Sequence, residues 1–365
     1  MTPIWVEIDV TPWVTHPFSG IGRTSKCSLD ALSQLKCGDF TFCGVSRVGP
    51  FPKISHLNLN RHNRIYHGFE HKLPLMLGMT RILTVHDLWT LDPNPYQSPS
   101  FQKRQSKRLE KAIRSANTIV TPSETVKNQL LNRFQFLEGR VSAIHHGWQL
   151  ELEGPQSPLS PSLSRFLMSS DPFIFTIAIL EHRKNIMTLL EALKRIEVRL
   201  VIVGSPGYRY EEIFNTLSNH PKRDQIFYLP HATDIELRAL MMQASVYVQP
   251  SLDEGFGMPV IDAMHFNKRL VLSDIPTFQE IAGTHATYFD PKSAENLSHT
   301  IEYAMQQPPP NPQEVGVRLK DFTWNTVAVE LLRTYRIALE RVSSTNMKWN
   351  GLNFSEFFTP KHSDP

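Results

Sequence analysis

A glycine-containing stretch with two acids, residues 251–267 (SLDEGFGMPVIDAMHFN), has the composition of a ligand site. The preceding residues 244–250, ASVYVQP, combine β-branched and aromatic side chains in the pattern of a buried strand. Gly255 and Gly257 then interrupt regular structure, and Pro259 suits the first turn of a helix. A helix that starts directly after a strand exposes backbone N–H groups, which bind phosphate or sugar hydroxyl groups.

The two acids of this stretch, Glu254 and Asp262, are separated by seven residues, one in the predicted loop and one in the predicted helix. One carboxylate can therefore contact one end of a ligand while the other contacts a second part of it. The same spacing is also typical of an ordinary strand–helix turn with two solvated acids. Spacing alone leaves both interpretations open.

Composition restricts the class of protein. The chain has 365 residues, which is more than a single hydrophobic core usually organises, and this length predicts two domains. A hydrophobic content of 41% and a charged content of 20% are typical of a soluble globular enzyme. The net charge of +3 is too small to indicate nucleic acid as a partner. Cys27, Cys37 and Cys43 lack the spacing of a metal site, so we expect no metal and reduced thiols.

Two further features concern location. The sequence contains no apolar run long enough to cross a bilayer. Its first ten residues, MTPIWVEIDV, include acids and lack the basic start of a signal peptide. We therefore expect a cytoplasmic protein.

The first half of the chain places polar residues after predicted strands. A strand over residues 4–10 is followed by Gly20, Gly22 and Arg23 in a predicted glycine loop, and the strand over residues 81–85 ends in His86-Asp87. Ligands of open α/β sheets bind at the carboxyl ends of the strands, so both places are candidate sites. A plain tight turn at the glycines and a helix-capping Asp beside a structural His are the alternatives.

A basic face follows in the same half. Between residues 96 and 140 nine Lys or Arg face three Glu, and the cations recur at helical spacing. The candidate partners are anionic lipid headgroups, a lipid-diphosphate acceptor or nucleic acid, and simple solvation is the alternative. No nucleic-acid-binding signature accompanies the charge, which disfavours nucleic acid. The residues of this candidate acceptor or membrane surface are Lys103, Arg104, Lys107, Arg108 and Lys111.

The second half restarts after a Pro- and Ser-rich linker. A strand over residues 173–179 leads to the loop LEHRKN, where Arg183 and Lys184 can hold a diphosphate at a strand end. The predicted organisation is an N-terminal domain over residues 1–150, a linker over 151–170, a C-terminal domain over 171–322, a helix over 323–342 that returns to the N-terminal domain, and a poorly ordered tail over 343–365.

Seven motifs in register carry a family resemblance. They are GIGR at Gly20, TVHD at Thr84, TPSE at Thr121, LEHRKN at Leu180, VIVG at Val201, PSLDEGFGMPVIDAM at Pro250 and SDIPTFQEIAG at Ser273. With them the chain resembles the retaining glycosyltransferases of GT-B architecture, in the large family that includes bacterial mannosyltransferases of polysaccharide and lipopolysaccharide assembly. The resemblance extends to about residue 342.

The resemblance implies an α/β fold with two Rossmann-like domains that face each other across a cleft. It also implies transfer of a hexose from a nucleotide diphosphate sugar to a hydroxyl acceptor, without a cofactor or a metal. GDP-mannose is the preferred donor, and a UDP-sugar remains open. A lipid-linked or polysaccharide glycan is the expected acceptor, with peripheral contact at the inner face of an anionic membrane. The oligomeric state stays open.

The same resemblance implies roles for individual residues. The implied catalytic residues are His86 beside the donor sugar, Arg183 and Lys184 on the diphosphate, and Glu254 on the sugar. Asp262 would contact the ribose. The implied donor-binding set consists of Gly20, Gly22, Arg183, Lys184, Gly204, Ser251, Glu254, Gly255, Phe256, Gly257, Met258 and Asp262.

The chain departs from the family pattern at three places. Asp262 replaces the usual Glu, Ala178-Ile179 replaces a common Gly-Arg, and residues 145–148 read HHGW where relatives often carry Asn-Gly. The sequence therefore leaves two alternatives, a GT-B epimerase or phosphorylase and a non-catalytic nucleotide-sugar-binding protein.

Overall fold

The computed structural model describes residues 3–35, 37–49, 63–74, 78–94, 97–150 and 158–350, with side chains described as far as residue 342. Within these residues the chain forms two parallel β-sheets, each of six strands, with helices on both faces. The predicted fold class, α/β with two Rossmann-like units, is confirmed.

The first sheet has the strand order β2-β1-β3-β4-β5-β6. Its strands are β1 (Ile4–Asp9), β2 (Phe40–Val45), β3 (Arg64–Gly68), β4 (Thr80–Thr84), β5 (Thr118–Thr121) and β6 (Val141–Ala143). The helices of this half are α1 (Thr11–Thr15), α2 (Gly20–Gln34), α3 (Pro99–Ser115) and α4 (Glu124–Arg133). A short 3-10 turn, Trp89–Leu91, follows β4.

The second half begins with helix α5 (Pro161–Leu167), and its sheet has the order β12-β11-β10-β7-β8-β9. Its strands are β7 (Phe173–Ile177), β8 (Arg199–Val203), β9 (Ile226–Leu229), β10 (Val246–Gln249), β11 (Arg269–Ser273) and β12 (Thr287–Phe289). Its helices are α6 (Ile186–Leu193), α7 (Tyr210–Ser218), α8 (Asp234–Gln243), α9 (Met258–His265), α10 (Pro276–Ala282), α11 (Ala294–Gln306) and α12 (Pro312–Leu319), and the chain continues into α13 (Trp324–Asn350).

Alternation along the strands explains why helices cover both faces. In β8, Val201 and Val203 join the core beneath α8, α9 and α10, whereas Leu200 and Ile202 join the core beneath α6 and α11. Successive side chains of a strand point to opposite faces, so a strand that is apolar throughout must be covered on both sides. None of the described helices is long and apolar enough to cross a membrane.

Helix α13 returns to the first sheet. Five of its residues are buried in the core that also contains Val6, Ile8 and Ile65; they are Val327, Ala328, Leu331, Tyr335 and Ala338. The hydroxyl of Tyr335 lies 2.8 Å from Nδ1 of the buried His67, whose Nε2 lies 2.8 Å from the hydroxyl of Thr84. Burial lowers the pKa of His67 to about 3, so this ring is neutral at pH 7.

Two expectations about the connections need correction. Residues 161–167, predicted as linker, form α5, because Leu163 is fully buried in the second core and anchors this segment. The tail predicted from residue 343 begins inside α13, which continues to Asn350. The remaining linker residues 151–157 and tail residues 351–365 lie outside the described residues.

The glycine loop predicted before α2 is also wrong. Ser19 is the N-cap of α2, and its hydroxyl accepts the N–H of Gly22, so Gly20 and Gly22 lie in the first helical turn. A Cβ atom at Gly22 would lie 2.4 Å from the carbonyl oxygen of His16. Gly22 therefore allows α2 to pack against the end of α1.

We predict that Tyr335→Phe lowers the free energy of unfolding by about 1–3 kcal/mol, because it leaves a buried imidazole nitrogen without its partner. Urea unfolding at pH 7 measures this change. Tyr303→Phe is the control, since Tyr303 is 55% exposed, and we expect it to change stability by less than about 0.5 kcal/mol. Equal effects of the two substitutions would contradict the role of the His67 bond.

Candidate functional site

A cleft of about 480 Å³ lies between the two sheets, at the carboxyl ends of their strands. From the first half it is lined by His86 and Asp87, which follow β4. From the second half it is lined by Arg183, which follows β7, and by Glu254, which follows β10. β7 and β10 are neighbours from which the strand order runs in opposite directions, and such a switch point is the usual ligand site of an open α/β sheet.

The carboxylate of Glu254 is the centre of a buried charge cluster. Its Oε1 lies 2.6 Å from Lys184 Nζ and accepts the hydroxyl of Ser251 at 2.7 Å, and its Oε2 lies 3.2 Å from Arg183 Nη1. Burial opposes ionisation of Glu254, but the charges of Lys184 and Arg183 outweigh it and lower its pKa to about 2. Glu254 is therefore ionised at neutral pH, with both cations oriented around it.

Arg183 also connects the two halves of the chain. Its Nη2 pairs with Glu181 at 2.9 Å and its Nη1 donates to the carbonyl of Asp253 at 2.8 Å. The guanidinium lies over the ring of Trp89, 5.3 Å from the ring centre, and Trp89 belongs to the first half. A cation over an aromatic face is an attractive contact that strengthens when it is desolvated.

His86 presents a free hydrogen-bonding nitrogen. Its Nε2 is buried and has no hydrogen-bond partner among the described residues. The pKa of His86 is lowered to about 4, mainly by burial and also by the neighbouring His71, while a backbone hydrogen bond to Phe69 opposes this change. A buried polar atom without a partner in the protein indicates a place that a ligand or a water molecule satisfies.

A second histidine, His146, shares this part of the cleft. Its ring centre lies 5.6 Å from that of His86 and 4.9 Å from that of Phe256. Burial lowers the pKa of His146 well below its ordinary value, and the neighbouring His86 adds to this effect. The sequence pattern predicts no role for His146, and residues 145–148 stand out only as a departure from the family. Its position directly after the carboxyl end of β6 was the available signal.

The acidic loop makes close backbone contact with the first half. A Cβ atom at Gly255 would lie 1.9 Å from the carbonyl oxygen of His86, so this contact requires glycine. The hydroxyl of Ser123 donates to the carbonyl of Gly255 at 2.8 Å. Gly257, two residues later, has φ +96°, a backbone conformation that favours glycine, and it precedes the N-terminus of α9.

Glu280 connects two of the sequence motifs across the two halves of the chain. Its carboxylate accepts the backbone N–H groups of Glu124 at 2.7 Å and Thr125 at 2.8 Å, the first residues of α4. The same carboxylate lies 2.9 Å from His145 Nε2. Burial raises the pKa of Glu280, but the bonds from His145 and Thr125 outweigh it, and the pKa falls to about 2. The TPSE and SDIPTFQEIAG motifs thus meet across the two halves.

Several predicted site residues line the cleft and others support it. The predicted residues that line it are Gly20, His86, Arg183, Lys184, Glu254, Gly255, Phe256, Gly257, Met258 and Asp262. Gly22, Gly204 and Ser251 do not line it. The N–H of Gly22 donates to the hydroxyl of Ser19. Gly204 allows close backbone contact, because a Cβ atom there would lie 1.9 Å from the carbonyl oxygen of Ala178. The hydroxyl of Ser251 donates to Glu254 and orients its carboxylate.

Asp262 and Ile179, two positions where the sequence departs from the family pattern, both line the cleft. Oδ1 of Asp262 accepts the N–H groups of Gln149 at 2.6 Å and Leu150 at 3.1 Å. Burial raises the pKa of Asp262 to about 6, although these two N–H groups favour its charged form. Ile179, where relatives often carry Arg, lines the cleft and is 45% exposed.

The cations predicted as an acceptor or membrane surface lie elsewhere. Lys103, Arg104, Lys107, Arg108 and Lys111 are all exposed on α3, and none of them lines the cleft. No group of three or more His, Cys, Asp or Glu side chains that could bind a metal occurs in the part of the chain that the structure describes.

The chain is similar to known families and proteins. The model named Glycosyltransferase Family 4 matches residues 62–152, and the model named Glycosyl transferases group 1 matches residues 165–318. O-antigen chain mannosyltransferase B of Escherichia coli is 24% identical over 286 residues, which cover 75% of this chain and 74% of that protein. Serotype-specific mannosyltransferase WbdA of Escherichia coli is 26% identical over 54% of this chain, which spans only 25% of that protein.

Among solved structures, sucrose-phosphate synthase from Thermosynechococcus elongatus aligns with a TM-score of 0.71 at 17% identity, covering 93% of this chain and 100% of that one. This likeness shows the fold, the GT-B architecture, in which two α/β units enclose a cleft. The chain contains a Glycosyltransferase Family 4 domain and a Glycosyl transferases group 1 domain, which together cover about two thirds of its length. The family resemblance read from the motifs is confirmed.

We predict that Glu254→Gln lowers the free energy of unfolding at pH 7 by about 3–5 kcal/mol, because Lys184 loses its carboxylate partner and Arg183 keeps only Glu181. Glu254 has a folded pKa of about 2 against an ordinary value of 4.5, so its contribution is complete above pH 4.5 and is lost as the pH falls toward 2. The difference in free energy of unfolding between wild type and variant should therefore decrease as the pH falls from 4.5 toward 2. Urea unfolding at pH 7, 4.5 and 3 measures it.

The exposed Glu340→Gln is the control and should change stability by less than about 0.5 kcal/mol at each pH. A difference between wild type and Glu254→Gln that stays constant from pH 7 to pH 3 would argue against the ion pairs as its cause.

Proposed function

We propose that this chain is a mannosyltransferase that moves mannose from GDP-mannose to a hydroxyl group of a lipid-linked or polysaccharide glycan, with retention of the anomeric configuration. The observation that carries the proposal is the cluster of Arg183, Lys184 and Glu254, which faces His86 across the cleft. The sugar and the acceptor class follow the two mannosyltransferase relatives.

Stabilisation of the leaving diphosphate is the chemical task that this cluster suits. The cations of Arg183 and Lys184 lie at the carboxyl end of β7, where they are held in place before a ligand arrives. Preorganised charges stabilise a developing anion without a reorganisation cost during the reaction. Lys184 and Arg183 therefore supply the positive charge for departure of the nucleoside diphosphate, and the proposal includes no metal and no cofactor.

Glu254 and the N-terminus of α9 would bind the hexose. Glu254 keeps carboxylate lone pairs available to sugar hydroxyls. At the N-terminus of α9 the group that can bind such a hydroxyl is the N–H of Met258, since Pro259 has no N–H and Val260 donates to the carbonyl of Gly257 at 2.8 Å. Nε2 of His86 would accept a hydrogen bond from a hydroxyl of the same sugar, and this buried nitrogen would thereby gain a partner. Close contact between Gly255 and His86 would exclude water from the reacting centre and limit donor hydrolysis.

We predict that GDP and GDP-mannose raise the melting temperature more than UDP and UDP-glucose do. Saturation at a hundredfold excess over Kd adds about 2.7 kcal/mol of stability. A thermal-shift titration at fixed protein concentration measures this, with GMP as the control for the diphosphate. A larger shift with UDP would reassign the donor base, and the absence of any shift with nucleotides would reject the proposed donor class.

We predict different kinetic effects for the two sides of the cleft. His86→Ala should lower kcat at least about a hundredfold with donor affinity changed by less than about threefold, because a contact near the reacting sugar is lost. Lys184→Ala should weaken GDP-mannose binding and kcat together, because both depend on the diphosphate charge. Calorimetry gives the affinity and a mannose-transfer assay gives kcat. Product formed without acceptor would instead favour an epimerase.

The basic face of α3 would contact the membrane that carries a lipid-linked acceptor, and the enzyme would act at the cytoplasmic side. Two exposed aromatic rings contact cations of α3: Phe101 in α3, at 38% exposure, and Phe136 in the short turn Gln135–Leu137, at 46% exposure. Arg104 lies 5.4 Å from the ring centre of Phe101 and Arg114 lies 5.4 Å from that of Phe136. Cations beside exposed rings suit the interface of an anionic bilayer.

We predict that the triple variant Lys107→Ala, Arg108→Ala, Lys111→Ala binds vesicles containing phosphatidylglycerol about a hundredfold more weakly than wild type at low salt, since each cation contributes about 1 kcal/mol. Vesicle flotation measures the binding. The control triple Arg195→Ala, Lys292→Ala, Lys320→Ala removes the same charge from exposed positions of the second half. Equal binding by both triples would contradict a specific role of α3.

A further inference from the structure

The helix that begins at the donor loop also holds the connection between the two halves. The backbone N–H groups of Gln149 and Leu150, in the crossover that follows β6, both donate to Oδ1 of Asp262 on α9, at 2.6 Å and 3.1 Å. Asp262 is 5% exposed. A buried carboxylate that accepts two backbone N–H groups is a strong, oriented contact.

The contact extends along one face of α9. Met258, Asp262 and His265 are spaced four and three residues apart, which places them on the same side of a helix. Met258 Sδ lies 2.9 Å from Nε2 of Gln149. The ring of His265 stacks on that of Trp148, with centres 4.5 Å apart and planes 13° apart. All three residues therefore contact the crossover over residues 148–150.

The second crossover, which leads into α13, meets the first at the same place. Trp324 Nε1 donates to the carbonyl of Trp148 at 2.8 Å, and the N–H of Trp148 donates to the carbonyl of Phe322 at 3.1 Å. A Cβ atom at Gly147 would lie 2.8 Å from the indole of Trp324, so the two segments cross in direct contact. The second connection is thus linked to α9 through the first.

Met258 adds a contact with the first half itself. A Cβ atom at Gly20 would lie 2.3 Å from Cε of Met258, and the hydroxyl of Thr24 lies 3.6 Å from its sulfur. Gly20 and Thr24 belong to α2, so α9 contacts both the crossover and a helix of the opposite unit. Any rotation of one half against the other changes these contacts.

We propose that Asp262 is a positioning residue that ties the donor-binding helix α9 to the interdomain crossover, so that occupation of the donor site and the arrangement of the two halves are coupled. One carboxylate oxygen holds Gln149 and Leu150, while Asp262 also lines the cleft, where the second oxygen is available to the donor. A Glu here, one methylene longer, would carry its carboxylate past these N–H groups. The coupling to a donor rests on the proposed function, whereas the tie to the crossover does not.

Small-angle X-ray scattering and donor kinetics, measured on the whole chain, test whether Asp262 holds the crossover at Gln149 and Leu150. The variants are Asp262→Ala, which removes the acceptor, Asp262→Asn, which keeps an oxygen for both N–H groups, and Asp262→Glu. The matched control is Asp290→Ala, because Asp290 Oδ1 also accepts a backbone N–H, that of Lys292 at 2.9 Å, and Asp290 does not line the cleft.

We expect ligand-free Asp262→Ala and Asp262→Glu to have a larger radius of gyration than wild type, and Asp262→Asn and Asp290→Ala to match it. With GDP-mannose we expect kcat of Asp262→Ala to fall about tenfold while the GDP Kd rises less than about threefold, because the site remains but its two halves are no longer held together. Asp262→Asn should restore kcat to within about threefold of wild type.

Two results would overturn the proposal. One is an unchanged radius of gyration in ligand-free Asp262→Ala and Asp262→Glu. The other is a large rise in GDP Kd with kcat unchanged, which would make Asp262 a ribose ligand only. If Asp262→Ala fails to fold, the radius of gyration and the kcat of Asp262→Glu are compared with those of Asp262→Asn instead. Failure of wild type to bind any nucleotide would reject the proposed function. The ligand-free scattering would still show whether Asp262 holds the crossover.

Discussion

The buried ionised carboxylate of Glu254 is the constraint on which the site depends. A charge removed from water must be paired, and Glu254 meets this need with Arg183, Lys184 and the hydroxyl of Ser251. These partners come from the loops after β7 and β10, so the pairing fixes two strand ends against each other. The two cations are thereby held in a fixed orientation at the cleft, and an incoming diphosphate would find them already in position.

Much of this arrangement could be predicted from the sequence, for a physical reason. Strands of a parallel sheet are covered on both faces, so they appear as short apolar runs such as RILTV and RLVIV, and polar residues after such runs mark the ligand edge of the sheet. His86, Arg183, Lys184 and Glu254 all follow such runs, and all four line one cleft. Local pattern and topology marked these residues as candidates at the ligand edge, and the family resemblance assigned them to one donor site.

The rest depends on contacts between residues that are distant in sequence. The position of His146 after β6 indicates the ligand edge of the sheet, but not that its ring lies beside that of His86. Nothing near Glu280 indicates that it would accept the first N–H groups of α4. Asp262 has the spacing of a ligand-binding acid, yet its main partners are backbone groups more than a hundred residues away. Gly20 and Gly22 were misplaced because glycines needed for close helix packing and glycines of a loop have the same appearance in a sequence.

The return of α13 to the first sheet has a consequence for synthesis on the ribosome. Val327, Leu331 and Tyr335 complete a hydrophobic core that otherwise consists of residues from the beginning of the chain. Domains generally fold as units in the order in which they are translated. Here the unit that is translated first is finished last, since its core stays open until α13 leaves the ribosome, while the second sheet already has all of its strands.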